Sequence, residues 1–284
     1  MHLPVMTIGR RTNSSVGAYF DLITDDARMF YGDSFHFGYF KDGGEDFATA
    51  LNNHTDIVAD MAQVGSSACV LDIGCGICAP AIRLARRYGC RITGVNISAE
   101  QVRQGRELVA RHGLSDRISV VEGNALKLPF EDVSFDSALC LEVAGDICVT
   151  KEQKIKLADE LHRVLRPGAR IGFSDLVFTG RPTREEERAM RSILYHDGRE
   201  LMTDWPGIFE KRGFNITRRM DIIDKTMNTW LHSLSVYEGR ADEVERRYGK
   251  AIARRTMEYL RQIPDILSKY GSFVVMSAQK EGAM

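Results

Sequence analysis

The chain has 284 residues, of which 44% are hydrophobic, and a formal net charge of −1, enough apolar material for one large domain with a cap and without the Lys/Arg excess that holds a phosphate backbone. No charged start with an apolar stretch behind it opens the chain and no apolar run nears the ~20 residues that span a bilayer, so a soluble cytoplasmic protein with no nucleic-acid or membrane partner is expected. Its six cysteines, Cys69, Cys75, Cys78, Cys90, Cys140 and Cys148, fall in or beside predicted strands, as free thiols do in a reducing compartment.

Residues 1–15 carry no periodicity and read as an arm or an oligomer contact, with a homo-oligomer the expected assembly. Two aromatic runs follow, one at Tyr19-Phe20 and one from Phe30-Tyr31 to Tyr39-Phe40, with glycines expected to interrupt any long helix. They serve either as a clamp on the core or as a lid, and residues 1–45 form this arm and lid. Leu51, Ile57, Val58 and Met61 stand at helical spacing, which predicts a helix over Phe47–Met61 packed on a sheet edge.

The unbroken apolar run Cys69-Val70-Leu71-Asp72-Ile73 reads as a buried parallel strand, and Gly74-Cys75-Gly76 as a sharp turn into a helix spanning Ala81–Tyr88. Glycine lets a ligand approach the backbone N–H groups of such a turn. No third glycine follows at the dinucleotide spacing, since position 79 is Ala79, and no Gly-Lys-Ser/Thr follows either, which disfavours a phosphate cradle. The Asp72 carboxylate would repel a pyrophosphate and attract an ammonium, so an amino-acid head group fits better.

Further strands are predicted at Arg91–Asn96, Ile118–Glu122, Ser137–Leu141, Ile171–Val177, Asn215–Ile223 and from Gly271 onward, with helices from the Ser98 cap and over Lys151–Arg166. This gives a doubly wound α/β core over residues 46–180, helical cap insertions around a late helix and sixth strand over 181–270, and a final strand and tail over 271–284. In such sheets ligands bind beyond the carboxyl ends of the strands, where Glu142 stands, either facing the reacting groups or as a solvated loop acid. The charged run Arg184–Arg188 reads as a solvated helix face. The stripe Trp230, Leu231, Leu234 and Tyr237 is either cap packing or a substrate wall.

Val70-Leu71-Asp72-Ile73-Gly74-Cys75-Gly76 resembles the first motif of the class I S-adenosylmethionine (SAM) dependent methyltransferases, whose acid-x-Gly-x-Gly loop holds the methionine part of the cofactor. Leu128-Pro129-Phe130 with Phe135-Asp136, and Leu161 to Gly168, are similar to later motifs of that family. Gly32-Asp33-Ser34-Phe35-His36-Phe37 is similar to the N-terminal region of sterol C-methyltransferases, and related patterns precede the SAM domain of cyclopropane-forming lipid methyltransferases. The resemblance implies a Rossmann-like sheet of seven strands, the seventh antiparallel, with SAM as cofactor. It places Tyr31, Asp72, Gly74, Cys75, Gly76, Asn96, Ile97, Gln101, Asn124, Ala125 and Leu141 around that cofactor. Two positions depart from the pattern, because Asn96 and Asn124 stand where relatives often carry an acid. An amide at Asn96 can still accept from one ribose hydroxyl and donate to the other, and the Asn124 carbonyl can accept from the adenine amino group. Gln101 either approaches the ribose or only opens its helix.

Methyl transfer from a sulfonium is an in-line displacement in a site without water, and aromatic faces and a carboxylate stabilise the cation. Tyr19, Tyr31, Tyr39 and Glu142 are the candidates for this, with Glu142, His36 and Tyr19 as the catalytic set and Tyr39, Asp146, Tyr195, His196 and Trp230 toward the substrate. The likeness to sterol enzymes points to carbon methylation of an apolar, prenylated or terpenoid small molecule through a carbocation. An O- or N-methyltransferase and a non-methylating cyclase or binding protein on the same fold are the rivals. No metal is expected, although Cys75 and Cys78 form a C-x-x-C pair, since the second pair of a zinc site is missing.

Overall fold

A computed structural model describes residues 13–148, 150–191 and 203–282. In chain order these form α1 (Asn13–Tyr31), α2 (Phe47–Met61), β1 (Cys69–Ile73), α3 (Ala79–Tyr88), β2 (Arg91–Asn96), α4 (Ala99–Arg111), β3 (Ile118–Glu122), β4 (Phe135–Leu141), α5 (Ala144–Ile147) and α6 (Lys151–Val164). Then come β5 (Leu165–Phe178), α7 (Arg184–Arg191), α8 (Trp205–Glu210), β6 (Phe214–Asp221), α9 (Asn228–Gly239), α10 (Ala241–Tyr248), α11 (Lys250–Tyr270) and β7 (Gly271–Lys280).

The seven strands lie in the order β3-β2-β1-β4-β5-β7-β6, with β7 antiparallel to both neighbours, the expected mixed sheet. Alternate strand residues feed two cores. Val70, Ile92, Leu139, Phe273 and Val275 face α2, α3, α4 and α11, while Leu71, Ile73, Val95, Phe173 and Met276 face α6 and α8. The strand order reverses between β1 and β4, which opens a crevice at their carboxyl ends.

Local chemistry sets the helix starts. Asp46 accepts from the Thr49 N–H at 2.6 Å, Ser98 from the Gln101 N–H at 3.1 Å, and Thr150 and Gln153 form a reciprocal capping box. Helix α6 stops at Val164, short of the expected Arg166, because Pro167 disfavours helical backbone at the residue before it.

Helix α1 ends before Gly32, whose φ of +66° is one of the glycine interruptions expected in the aromatic stretch. It passes through Gly17, whose missing side chain lets the helix sit on the Ile97 carbonyl, 3.0 Å from where a Cβ would stand. Two expectations change. Helix α2 lies on the sheet face over β5 rather than at its edge, and a Cβ at Gly172 would overlap the Val58 carbonyl. The charged start of α7 is not fully solvated, since Glu187 is buried and Glu186 accepts from Lys269 and from the Tyr270 hydroxyl on α11. No helix among the described residues is long and apolar enough to cross a membrane.

Candidate active site

The turn after β1 is built from backbone conformations that favour glycine. Gly74 and Gly76 have φ of +64° and +53°, and a Cβ on Gly74 would overlap the Val143 side chain. Two residues earlier Asp72 is 3% exposed, its Oδ2 has no partner among the described residues, and burial alone pushes its carboxyl up to about 7. An unsatisfied buried carboxylate oxygen at a glycine turn fits a ligand that brings its own ammonium group.

The turn forms one wall of a cleft. Around it stand Asn96, Ile97 and Gln101 after β2, Asn124 and Ala125 after β3, Leu141, Glu142 and Asp146 after β4, and Val16 and Phe20 from α1. Most of the sequence-predicted cofactor set is therefore gathered at one crevice. Asp72 and Cys75 lie behind the wall: the Cys75 and Cys78 thiols are 3.7 Å apart, unbridged, in space left by Gly94 and Gly105.

The aromatic faces differ from expectation. Phe20 and Phe35 line the cleft, and the three tyrosines do not. The reason is helical phase: Val16 and Phe20, four apart on α1, point inward, which turns Tyr19 to the half-buried flank, edge-on to Phe20 at 5.4 Å. Tyr31 packs by Phe47 and Ser233, where burial pushes its phenol up to about 12, and Tyr39 packs on the core. Trp230 is 1% exposed and edge-on to Phe37 at 5.1 Å, and Tyr237 is buried as well, so these two pack within the cap, while Leu231 of the same stripe is exposed. Tyr195 and His196 lie outside the described residues.

Asn96 also differs. Its amide donates to Gln101 Oε1 at 2.7 Å and to the Gly76 carbonyl at 3.4 Å, and its oxygen accepts from the Ser98 N–H at 3.0 Å. Both amide hydrogens are spent inside the protein, so Asn96 keeps no donor for the predicted ribose contact. Asn124 keeps one lone pair, its oxygen already accepting from the Leu126 N–H at 2.9 Å.

Glu142 ends β4 with φ of +54°, an uncommon conformation for a residue with a side chain. Its N–H donates to the Ser174 carbonyl, and its Oε1 accepts the Phe37 N–H at 2.7 Å and lies 3.2 Å from His54 Nδ1. Burial pushes Glu142 up to about 8 against the opposing pull of His36 and the Phe37 N–H, with Asp146 adding a smaller upward push. Burial holds His36 and His54 down at about 4. The His54 ring, neutral near neutral pH, donates its Nδ1–H to the Phe37 carbonyl at 2.7 Å, so its approach to Glu142 is not an ion pair.

His36 does not open onto the cleft as a base would. Its Nδ1 is 2.9 Å from the Phe37 carbonyl and its Nε2 3.3 Å from Thr55 Oγ1, so the ring ties the strap of residues 32–40 to α2. His36, His54 and Glu142 bring three metal-ligand atom types within 4.8 Å of one another. Both imidazoles aim Nδ1 at the same carbonyl, which requires protons rather than lone pairs there.

Two residues escaped the sequence reading. His54 stands between Leu51 and Val58 in the apolar stripe of α2, and a histidine on an inward helical position was the signal. Asp21 reaches from α1 to α4, accepting from the Ser98 hydroxyl at 2.6 Å and the Glu100 N–H at 3.0 Å, which fixes the lid helix across the cleft.

Residues 70–168 match a family described as a methyltransferase domain. The chain carries a SAM-dependent methyltransferase domain. It is 29% identical over 219 residues to Methyltransferase GfsG of Streptomyces halstedii, covering 75% of this chain and 77% of that one. It is 34% identical over 167 residues to the sterol 24-C-methyltransferase of Eremothecium gossypii, covering 59% of this chain but 43% of that one, so the chain spans less than half of this relative. The fold of the [4+2]-cyclase SpnF superposes with a TM-score of 0.81 over 96% of this methyltransferase and 97% of the cyclase, at 24% identity. SAM is the cofactor of the methyltransferase, and the glycine turn, Asp72 and the cleft are suited to hold it.

Proposed function

We propose that this methyltransferase transfers a methyl group to an alkene carbon of an apolar, prenylated or terpenoid small molecule. The observation that carries the reading is a cleft whose lining is apolar and aromatic at Val16, Phe20, Phe35, Leu141 and Ile147, yet holds a buried carboxyl at Glu142. When bound, the cofactor supplies an electrophilic methyl on a sulfonium. Phe20 and Phe35 present ring faces that favour a cation and exclude water, and Asp72 receives an ammonium. The alkene's π pair would form the new carbon–carbon bond while the methyl–sulfur bonding pair leaves with the sulfur. The cation left on the substrate is discharged when a neighbouring C–H gives its proton to Glu142 and returns its electron pair to the carbon skeleton.

The test incubates purified protein with methyl-deuterated SAM and a panel of prenylated phenols, terpenoid alkenes and their saturated analogues, followed by mass spectrometry and carbon NMR. Label on carbon in the alkenes alone is expected. Label on oxygen or nitrogen would overturn carbon methylation, and tight SAM binding with turnover of a polyene that acquires no label would favour a cyclase.

A further inference from the structure

We propose that Cys75 and Cys78 are a reversible thiol–disulfide couple built into the cofactor-binding turn, and that closing it weakens the hold on the cofactor. Both thiols are free and buried, and the Cys78 S–H donates to Cys75 Sγ at 3.7 Å. They stand at the two ends of a tight turn, because the Cys78 N–H donates to the Cys75 carbonyl at 2.9 Å. The ends of such a turn lie under about 7 Å apart between α-carbons and disulfides span about 4.4–6.8 Å, so the backbone already has the reach and only the sulfurs have to close, to about 2.0 Å.

The sulfurs are seated against two different elements. Cys75 Sγ lies 2.7 Å from where a Cβ of Gly94 on β2 would stand, and Cys78 Sγ 3.1 Å from that of Gly105 on α4. Bare α-carbons at both places make the room that the thiols fill. Drawing the sulfurs together takes them out of these seats or drags the turn with them. The turn has little slack, since Gly74, Gly76 and Cys78 all stand at positive φ and the Gly74 and Cys75 N–H groups both reach the Val95 carbonyl. Gly74 and Gly76 flank Cys75 and line the cleft, so a shift of Cys75 is felt where the cofactor would lie.

The oxidant is a small disulfide such as oxidised glutathione. The thiolate of Cys75, the less buried of the two at 4% exposure, attacks one sulfur of the oxidant and expels the other as a thiolate. Cys78 then attacks the mixed disulfide at Cys75 Sγ, which forms the Cys75–Cys78 bond and expels the second thiolate. Two protein thiols are oxidised, one disulfide is reduced to two thiols, and the two thiol protons pass to the leaving thiolates. The hydrogen bond with Cys78 and then burial hold the Cys75 thiol well above its ordinary range, with Asp72 adding a smaller push. Exchange is therefore slow at neutral pH, as suits a switch and not a dithiol catalyst.

The test equilibrates the purified full chain with glutathione buffers of graded ratio, approached from the reduced and from the oxidised side, and locates the bridge by peptide mass spectrometry. A Cys75–Cys78 link is expected. Calorimetry is expected to give S-adenosylhomocysteine an affinity about tenfold weaker in the bridged protein, restored by dithiothreitol. Linkage fixes a second reading: saturating S-adenosylhomocysteine favours the dithiol and is expected to raise the couple's potential by the same factor, about 30 mV. Cys78→Ala, which cannot form the link, is expected to hold the reduced protein's affinity in every buffer.

A fully oxidising buffer that leaves Cys75 and Cys78 unlinked overturns the proposal, as does an affinity within threefold of the reduced protein once the link has formed. An oxidant effect of equal size in Cys78→Ala would assign it to another thiol and overturns it too. If Cys78→Ala does not fold, the wild-type affinities and the potential shift decide. None of these readings needs a methyl acceptor, so they stand apart from the question of which atom is methylated.

Discussion

The glycine turn after β1 and the strap of residues 32–40 face each other across the cleft, with the Phe35 ring 3.5 Å from where a Cβ of Gly76 would stand. They hold their ligands' surroundings by opposite means. The turn works through absent atoms and left-handed backbone, whose geometry does not change with pH. The strap works through the Phe37 N–H on a buried carboxyl and through the buried His36 imidazole, with His54 of α2 beside them, and folding has displaced the titration of all three groups. A site for a permanently charged ligand is placed by the rigid half, and proton chemistry by the half that can titrate.

The largest effect that sharpens this contrast is expected at Gly74. Gly74→Ala meets both the Val143 overlap and an unfavourable φ, and is expected to weaken S-adenosylhomocysteine binding about a hundredfold, on the order of 3 kcal/mol, at every pH tested by calorimetry. Affinity within a few fold of wild type would break the account of the turn.

Next is the pH response of the strap. Glu142 is raised from its ordinary 4.5 to about 8, so its protonated form is favoured in the folded protein, and its contribution to stability is full below about pH 4.5 and lost as pH rises toward 8. The two histidines run the other way, lowered from 6.5 to about 4, and cost stability as pH falls through that window. Melting temperature should therefore decline less between about pH 5 and 8 in Glu142→Gln than in wild type. Parallel curves would remove the carboxyl from the titrating half.

The smallest effect concerns the lid helix. Asp21→Ala removes the acceptor that α1 offers to the start of α4, and is expected to cost about 1 kcal/mol, a few degrees of melting temperature, with a severalfold loss of S-adenosylhomocysteine affinity. An unchanged melting curve would mean that α1 is held by its apolar face alone.

The same division explains what could be read in the chain beforehand. Strands β1 and β4 lie inside the sheet and are largely buried on both faces, so they appear as apolar runs, and the Asp72-x-Gly74-x-Gly76 turn needs glycine for reasons local to it. The cleft positions after β1 to β4 follow from strand ends alone. The lid did not follow in this way. Whether Tyr19 or Phe20 faces the cleft depends on how α1 docks on Ile97 and Ser98, residues about 80 positions away, and no local pattern encodes that phase. Asn96 was open to misreading for the same reason, since its amide is claimed by the Gln101 side chain across a turn.

The contact between Gly172 and the Val58 carbonyl reaches further than packing. Strand β5 also carries Ser174, whose carbonyl anchors the Glu142 backbone, and α2 carries His54 one helical turn before Val58. One bare α-carbon therefore calibrates the spacing between the element that anchors the acid's backbone and the element whose His54 ring holds the Phe37 carbonyl beside it. Any side chain added there would act as a shim, opening the gap by a length comparable to a hydrogen bond's whole tolerance.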